Sequence, residues 1–77
     1  MPSLVQVPRK TDVVIAAVEG TRSFRRRLME MGLVPGTPIR VIDVAPLGDP
    51  LEIEVRNSRL SIRKAEAAQI RVESRAP

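Results

Sequence analysis

Turn-forming residues recur along this sequence at short intervals, and they limit the chain to brief structural elements. The strongest turn signals are Gly20, the Pro-Gly pair within residues 34–37, the Pro-Leu-Gly-Asp-Pro loop within residues 45–50, and the Asn-Ser pair at residues 57–58. The apolar segments between them are short and rich in β-branched residues, which favour strands. With 77 residues in total, we expect one domain over residues 1–77.

Two segments in the first half of the chain predict strands. Residues 13–18 are a continuous apolar run, Val-Val-Ile-Ala-Ala-Val, which is typical of a strand covered on both faces. Residues 38–44 predict a second strand, which begins after a type II turn at residues 34–37. The two-proline loop at residues 45–50 then ends this strand.

Residues 51–63 predict a β-hairpin. Apolar and charged residues alternate through residues 51–56 and again through 59–63, and Asn57-Ser58 supplies a two-residue turn. The predicted cross-strand pairs are Val55 with Leu60, Ile53 with Ile62, and Glu52 with Arg63. A slip by one residue would turn the apolar side chains toward water, so the alternation specifies the register.

Residues 21–31 predict the one substantial helix. Either Thr21 or Ser23 can cap its amino end. Its apolar stripe at helical spacing consists of Phe24, Leu28 and Met31. Gly32 follows where a left-handed residue would end the helix, and Leu33 would then contact the stripe in a Schellman cap.

A helical turn at residues 64–68 and an alternating strand at residues 69–73 complete the predicted elements. Five short strands, one inserted helix and a helical turn before the last strand suggest a mainly β fold, a small five-stranded barrel that resembles SH3-like barrels. We expect the barrel to occupy residues 11–73, with residues 1–10 and 74–77 peripheral to it. The predicted core consists of Val14, Ala16, Phe24, Leu28, Ile39, Val41, Ile53, Val55, Leu60, Ile62, Ile70 and Val72.

Several residue types are missing, and their absence excludes whole classes of chemistry. The sequence has no His, Cys, Trp or Tyr. Without Cys there is no disulfide, thiol nucleophile or zinc knuckle, and without His the commonest general base and transition-metal ligand are gone. Carboxylates alone can bind a hard cation, but we expect neighbouring arginines to pair with them. We therefore predict no enzymatic activity, no cofactor and no metal site.

The chain is basic, with 13 Lys and Arg against 9 Asp and Glu and a formal net charge of +4. Most of these cations are arginines, which suit carboxylate and phosphate contacts. The charge makes a small barrel that binds RNA or DNA an alternative function. Phe24 is the single aromatic residue, whereas proteins that bind single strands stack bases on several aromatics. We therefore expect a protein partner and keep nucleic acid as the alternative.

Three motifs occur in order along the chain: Arg-Leu-x-x-Met-Gly-Leu-x-Pro-Gly at residues 27–36, Ala-Pro-Leu-Gly-Asp-Pro at residues 45–50, and Leu-x-Ile-Arg-x-x-Glu-Ala at residues 60–67. Together they resemble the ferrous iron transport protein A (FeoA) family over about residues 13–73. The resemblance implies a small cytoplasmic SH3-like barrel that is an accessory factor of a membrane ferrous iron transporter. It also implies a partner, the cytoplasmic GTP-binding domain of that transporter, and an association of the family with transition metal ions.

We expect the partner-binding residues on the predicted helix and on the loop at residues 45–50. Four arginines stand near the amino end of the helix, where the helix dipole disfavours cations, so local stability does not explain their placement. The alternative is a solvated face whose arginine stems cover apolar surface. Met29 lies off the apolar stripe, and it either packs under a loop or is an exposed contact. The predicted contact residues are Arg25, Arg26, Met29, Leu47 and Asp49.

No apolar run in the sequence has the length of a signal peptide or a transmembrane helix. We therefore expect a cytoplasmic location, with membrane contact only through the transporter. An exposed edge of the barrel would allow weak self-association.

Overall fold

Residues 2–75 are the part of the chain that the computed structural model describes, and they form five strands, two α-helices and one short 3-10 helix. In chain order the elements are the 3-10 helix Leu4–Gln6, β1 (Thr11–Val18), α1 (Arg22–Glu30), β2 (Pro38–Val44), β3 (Leu51–Val55), β4 (Ser58–Ile62), α2 (Lys64–Ala67) and β5 (Ile70–Ser74). Each strand and helix expected from the sequence is present. No helix among these residues is long and apolar enough to cross a membrane.

The five strands form one antiparallel sheet in the order β4-β3-β2-β1-β5. The register shifts between Ile15 and Ala17 in β1, and between Val41 and Asp43 in β2. Such bulges bend a strand and increase its twist, so these two irregularities help the sheet to curl around a single core. The predicted mainly β architecture is confirmed, with α1 inserted between β1 and β2 and α2 preceding β5.

Most of the predicted core residues are buried. They are Leu28, Ile39, Val41, Ile53, Val55, Ile62, Ile70 and Val72. Phe24 and Leu60 are partly buried and pack against this core. Met31, expected on the apolar stripe of the helix, lies just beyond the end of α1 and is 41% exposed. Leu33, Leu51 and Ala67 are further core residues that the prediction omitted.

The predicted inward face of β1 was wrong. Val13 and Ile15 are buried in the core, whereas Val14 and Ala16 are only partly buried. A continuous apolar run carries no alternation of apolar and polar residues, so the sequence could not show which face points inward.

The predicted register of the hairpin was also wrong. Arg56 and Asn57 occupy the turn, with φ angles of 50° and 68°, and a type I′ turn requires positive φ at both central residues. Ser58 therefore begins β4. The observed pairs include Leu51 with Ile62, Glu52 with Ser61, Ile53 with Leu60, and Val55 with Ser58. The observed pairing differs from the predicted one by two residues, so every side chain keeps its predicted face of the sheet. The partner of Glu52 changes, because it forms an ion pair with Arg59 (3.2 Å) and does not face Arg63.

The amino-terminal segment is part of the barrel, contrary to the expectation that residues 1–10 are peripheral. Leu4 is fully buried and Val7 is 8% exposed. The carbonyl of Pro2 accepts a hydrogen bond from the amide of Val72 (3.0 Å), and Ser3 forms an antiparallel bridge with Arg71. The segment therefore covers the outer edge of β5, a long-range pairing that no local pattern reveals. At the other end β5 continues to Ser74, and residues 76–77 lie outside the described residues.

Leu4 should therefore contribute to stability as a core residue does. Leu4→Ala is expected to lower the free energy of unfolding by about 2–5 kcal/mol, because it leaves a cavity in addition to losing apolar burial. Urea denaturation followed by circular dichroism measures the change. Leu47→Ala, the same substitution at a side chain that is 92% exposed, is the control and should change stability by less than about 0.5 kcal/mol. Equal effects would place the amino-terminal segment outside the cooperative fold.

Two exposed carboxylates have pKa values that are lowered by hydrogen bonds. The pKa of Glu19 is lowered mainly by its hydrogen bond from Arg71 (3.0 Å), which links the end of β1 to β5. The pKa of Asp43 is lowered mainly by the backbone amide of Val44 and also by Arg9. A carboxylate whose folded pKa is depressed adds stability above its unfolded pKa, and this stability disappears as the pH falls through the folded pKa.

The protein should consequently lose stability as the pH falls below about 4, the range of unfolded Asp and Glu pKa values. Thermal unfolding measured from pH 7 to pH 2 should show a decline that is shallower in Glu19→Gln. Glu73→Gln, which removes a carboxylate for which the described residues show no ion pair, is the control and should retain the steeper decline. Parallel curves for wild type and Glu19→Gln would show that this ion pair does not contribute.

Candidate partner-binding surface

The amino end of α1 is fixed by Thr21. Its hydroxyl oxygen accepts a hydrogen bond from the amide of Phe24 (3.1 Å), which identifies Thr21 rather than Ser23 as the cap. Gly20 precedes it with a φ of 102°, and a Cβ at that position would stand 3.1 Å from the ring of Phe24. Glycine at this position lets the chain leave β1 and turn into the helix against that ring.

The carboxyl end of α1 has the predicted Schellman cap. The amide of Gly32 donates to the carbonyl of Met29 (3.0 Å), and the amide of Leu33 donates to the carbonyl of Leu28 (2.9 Å). Gly32 has a φ of 84°, as this cap requires. Leu28 and Leu33 are both 1% exposed, so the cap fixes the helix to the core as it ends the helix.

Arg27 joins α1 to α2 at one side of the helix. Its guanidinium forms an ion pair with the carboxylate of Glu66 and lies 5.6 Å from the centre of the Phe24 ring. A cation at this distance from an aromatic face is attracted to it. This arginine therefore has a structural role that distinguishes it from its neighbours in sequence.

The opposite side of α1 carries three arginines and one methionine at positions i, i+3, i+4 and i+7. We call Arg22, Arg25, Arg26 and Met29 the arginine face. All four residues are exposed and line one shallow depression. None of the three arginines forms an ion pair with a residue of the described chain. Met29 is 57% exposed, so its alternative position under a loop is wrong.

Arg25, Arg26 and Met29 were predicted as contact residues, and the structure brings them together. Arg22 was missed as a fourth member, although its helical spacing from the other three could have identified it. The helix dipole disfavours cations in this first half of α1. The cluster therefore adds no local stability, and it concentrates positive charge on a surface open to a partner.

Leu47 stands at the tip of a closed loop. The amide of Ala45 donates to the carbonyl of Pro50 (3.0 Å), and the amide of Gly48 donates to the carbonyl of Ala45 (2.7 Å). These two bonds hold the loop in one shape and leave the Leu47 side chain 92% exposed. A large apolar side chain held in water in this way is suited to an apolar pocket of another molecule.

Asp49 has a structural role that its prediction as a contact residue did not include. Its carboxylate accepts a hydrogen bond from the amide of Lys64 (3.0 Å), one of the free donors at the amino end of α2. Glu66 in turn accepts from the amide of Arg63 (3.0 Å) and pairs with Arg27. The loop and α1 are thus connected through α2.

The five predicted contact residues form two groups. Among residues 2–75, no hydrogen bond or ion pair joins the arginine face directly to the loop at residues 45–50. Arg27, which points toward α2, is about 200° from Arg25 around the helix, since each residue adds about 100°. Arg25 therefore points away from α2. The arginine face and Leu47 are separate exposed surfaces of the same domain.

The described residues also give no support for a metal site. Within residues 2–75, no three His, Cys, Asp or Glu side chains converge where they could hold a metal ion. Several carboxylates pair with arginines, of which only the pair of Glu52 was expected. These pairs are Asp12 with Arg40, Asp43 with Arg9, and Glu52 with Arg59.

The role of Asp49 can be tested through stability alone. Asp49→Ala is expected to lower the free energy of unfolding by about 0.5–1.5 kcal/mol, because the amide of Lys64 loses its acceptor. Asp49→Asn keeps an acceptor oxygen and should cost less. Urea denaturation of both variants measures the difference. If Asp49 were only a contact residue, both variants would unfold like the wild-type protein.

The sequence and the fold are similar to those of known proteins. The FeoA domain matches residues 3–74. The Fe(2+) transport protein A/Fe(2+) transporter FeoB fusion protein of Porphyromonas gingivalis is 45% identical over 60 residues, which make up 78% of this chain and 7% of that protein. The chain therefore spans only a small part of the length of this relative.

Two solved structures have the same fold. The FeoA protein of Chlorobium tepidum is 35% identical with a TM-score of 0.89, and the match covers 96% of this chain and 70% of that one. The FeoA of Stenotrophomonas maltophilia, an SH3 domain protein solved with zinc, is 30% identical with a TM-score of 0.80, covering 99% of this chain and 100% of that one. The predicted SH3-like barrel is confirmed. With nearly its whole length matched, the chain belongs to the FeoA domain family.

Proposed function

We propose that this protein is a non-enzymatic accessory module of ferrous iron uptake that binds and modulates a membrane ferrous iron transporter. The observation that carries this proposal is the P. gingivalis relative, in which a region like this chain belongs to the same polypeptide as the transporter FeoB. Joining two proteins in one chain keeps them at high local concentration, which is useful when they act on each other. The expected partner region is the cytoplasmic GTP-binding domain of the transporter.

The arginine face and Leu47 are the contact surfaces we propose for this partner. Unpaired arginines attract an acidic surface over a distance and speed its approach. Leu47 would then enter an apolar pocket and slow dissociation, since buried apolar anchors at an interface dominate its lifetime. The two surfaces together fit a partner that offers an acidic patch and a separate apolar pocket.

The alternative, binding of RNA or DNA, shares the arginines but lacks a stacking platform. Phe24 is the only aromatic side chain, and it is partly buried beside Arg27. Base stacking on several aromatics supplies much of the affinity of single-strand binders. The arginine face therefore favours carboxylates over nucleotides.

Calorimetric titration of the protein into the purified cytoplasmic domain of the transporter tests the proposal. We expect binding whose affinity differs between the GDP state and the state with a non-hydrolysable GTP analogue, because modulation requires different affinities for two states. Absence of heat in both states, with both proteins folded, would contradict the proposal. A nucleic acid whose affinity falls steeply with salt would support the alternative.

Single substitutions then locate the surface, with the association and dissociation rates of the same two proteins measured by surface plasmon resonance. Arg26→Glu should slow association about tenfold at low salt, because it reverses a charge on the arginine face. Arg75→Glu makes the same change in charge outside α1 and is the matched control. Leu47→Asp should mainly accelerate dissociation. If Arg26→Glu and Arg75→Glu behave alike, the contact surface lies elsewhere on the barrel.

A further inference from the structure

One outer edge of the sheet is covered by another segment of the chain, and the other edge is not. β5 is covered on its outer side by Pro2 and Ser3, through the hydrogen bond to Val72 and the bridge to Arg71. β4, at the other end of the sheet order, pairs only with β3 within the described residues. An uncovered strand edge presents free backbone donors and acceptors, and it is a ready template for another strand.

The register of the hairpin identifies the backbone groups at this edge. Val55 and Ser58 flank the two-residue turn and therefore form a hydrogen-bonded pair. Hydrogen-bonded pairs recur at every second residue, so Leu60 and Ile62 also direct their backbone groups toward β3. The amides and carbonyls of Arg59 and Ser61 consequently point outward, away from the sheet.

The side chains along β4 define what an added strand would meet. Arg59 is exposed on the solvent face, where Arg63 follows directly after the strand. Leu60 is on the other face, partly buried against the core, and Ile62 is buried. In an added strand, residues opposite Arg59 and Arg63 would share the charged face, and those opposite Leu60 would share the apolar face.

We propose that β4 is a strand-addition site for an extended segment in which acidic and apolar residues alternate. The outward backbone groups of Arg59 and Ser61 supply hydrogen bonds to its main chain. Its acidic side chains pair with Arg63 and compete with Glu52 for Arg59, and its apolar side chains complete the cover of Leu60. This site is independent of the arginine face and of the identity of the transporter.

A second copy of this chain fits the edge less well than an acidic segment does. Each copy carries a net charge of +4. Antiparallel pairing of two β4 strands around Leu60 would place Arg59 and Arg63 of both copies on one face of the joined sheet, and like charges across a sheet are destabilising. Exposed cations on an edge strand are a known protection against such pairing.

Amide hydrogen exchange of the full chain, followed by NMR, tests the proposal. The probe is a short synthetic peptide in which Glu and Val alternate, and the control peptide has the same composition with the Glu residues in one block. The alternating peptide should slow exchange at the amides of Arg59 and Ser61 by about tenfold or more, since each gains a hydrogen bond. Exchange at Leu60, already bonded to β3, should change much less.

Ser61→Pro tests the same site by affinity. Proline removes the outward amide and adds bulk at the edge, but it leaves the hydrogen bonds to β3 intact. Affinity for the alternating peptide should fall about tenfold. Ser61→Ala is the matched control and should bind like the wild type. Circular dichroism checks the fold, and the exchange result on the wild-type protein decides the matter if Ser61→Pro unfolds.

Three results would overturn the proposal. Equal exchange responses to the alternating and block peptides would mean that only charge is recognised. Slowed exchange at Arg59 and Ser61 that grows with protein concentration and without peptide would assign the edge to a second copy. Unchanged exchange at both amides with saturating alternating peptide would show that β4 does not bind an added strand. None of these results depends on whether the transporter domain binds the arginine face.

Discussion

The orientation of α1 depends on one buried side chain. Leu28 is the single fully buried residue of that helix, and the helix is otherwise half-buried at Phe24 and exposed elsewhere. A helix of nine residues would be marginal alone in water. The Schellman cap places Leu33 in the core directly after the helix, so two leucines hold one end of α1. The arginine face points outward because this anchor fixes the rotation of the helix about its axis.

A set of polar contacts around α2 also supports α1 and the loop at residues 45–50. α2 has only four residues and cannot be stable by itself. Asp49 accepts from its amino end, and Glu66 binds both the amide of Arg63 and the guanidinium of Arg27. These contacts tie the Leu47 loop, α2 and α1 into one unit. Each of these exposed bonds is weak alone, but together they hold the arginine face and the Leu47 loop in a fixed relation.

The sequence predicted those features that local chemistry determines. The cap after α1, the type II turn before β2 and the bounds of β2 follow from glycine, proline and periodicity within a few neighbouring residues. The face of β1, the pairing of Pro2 with β5 and the bond from Asp49 to Lys64 depend on residues distant in sequence, and no local pattern encodes them. The hairpin register was predicted wrongly because Arg56 occupies the turn with a positive φ, which its residue type disfavours.

For the candidate surface the sequence analysis predicted Arg25, Arg26 and Met29 but omitted Arg22, which lies on the same face of α1. Charge composition indicated a cationic helix, and only the structure separates Arg27, which is bound to Glu66, from Arg22, Arg25 and Arg26. The exposure of Met29 likewise excludes packing under a loop, which its off-stripe position on a helical wheel had left open.

The distribution of ion pairs leaves a local concentration of positive charge on α1. Five arginines form ion pairs with carboxylates spread over the barrel. Three of the remaining cations lie together on α1, where the helix dipole opposes them. The field of these arginines extends about one Debye length, roughly 8 Å at physiological salt. In the proposed complex it would act on the partner as the two surfaces approach, before Leu47 could make contact.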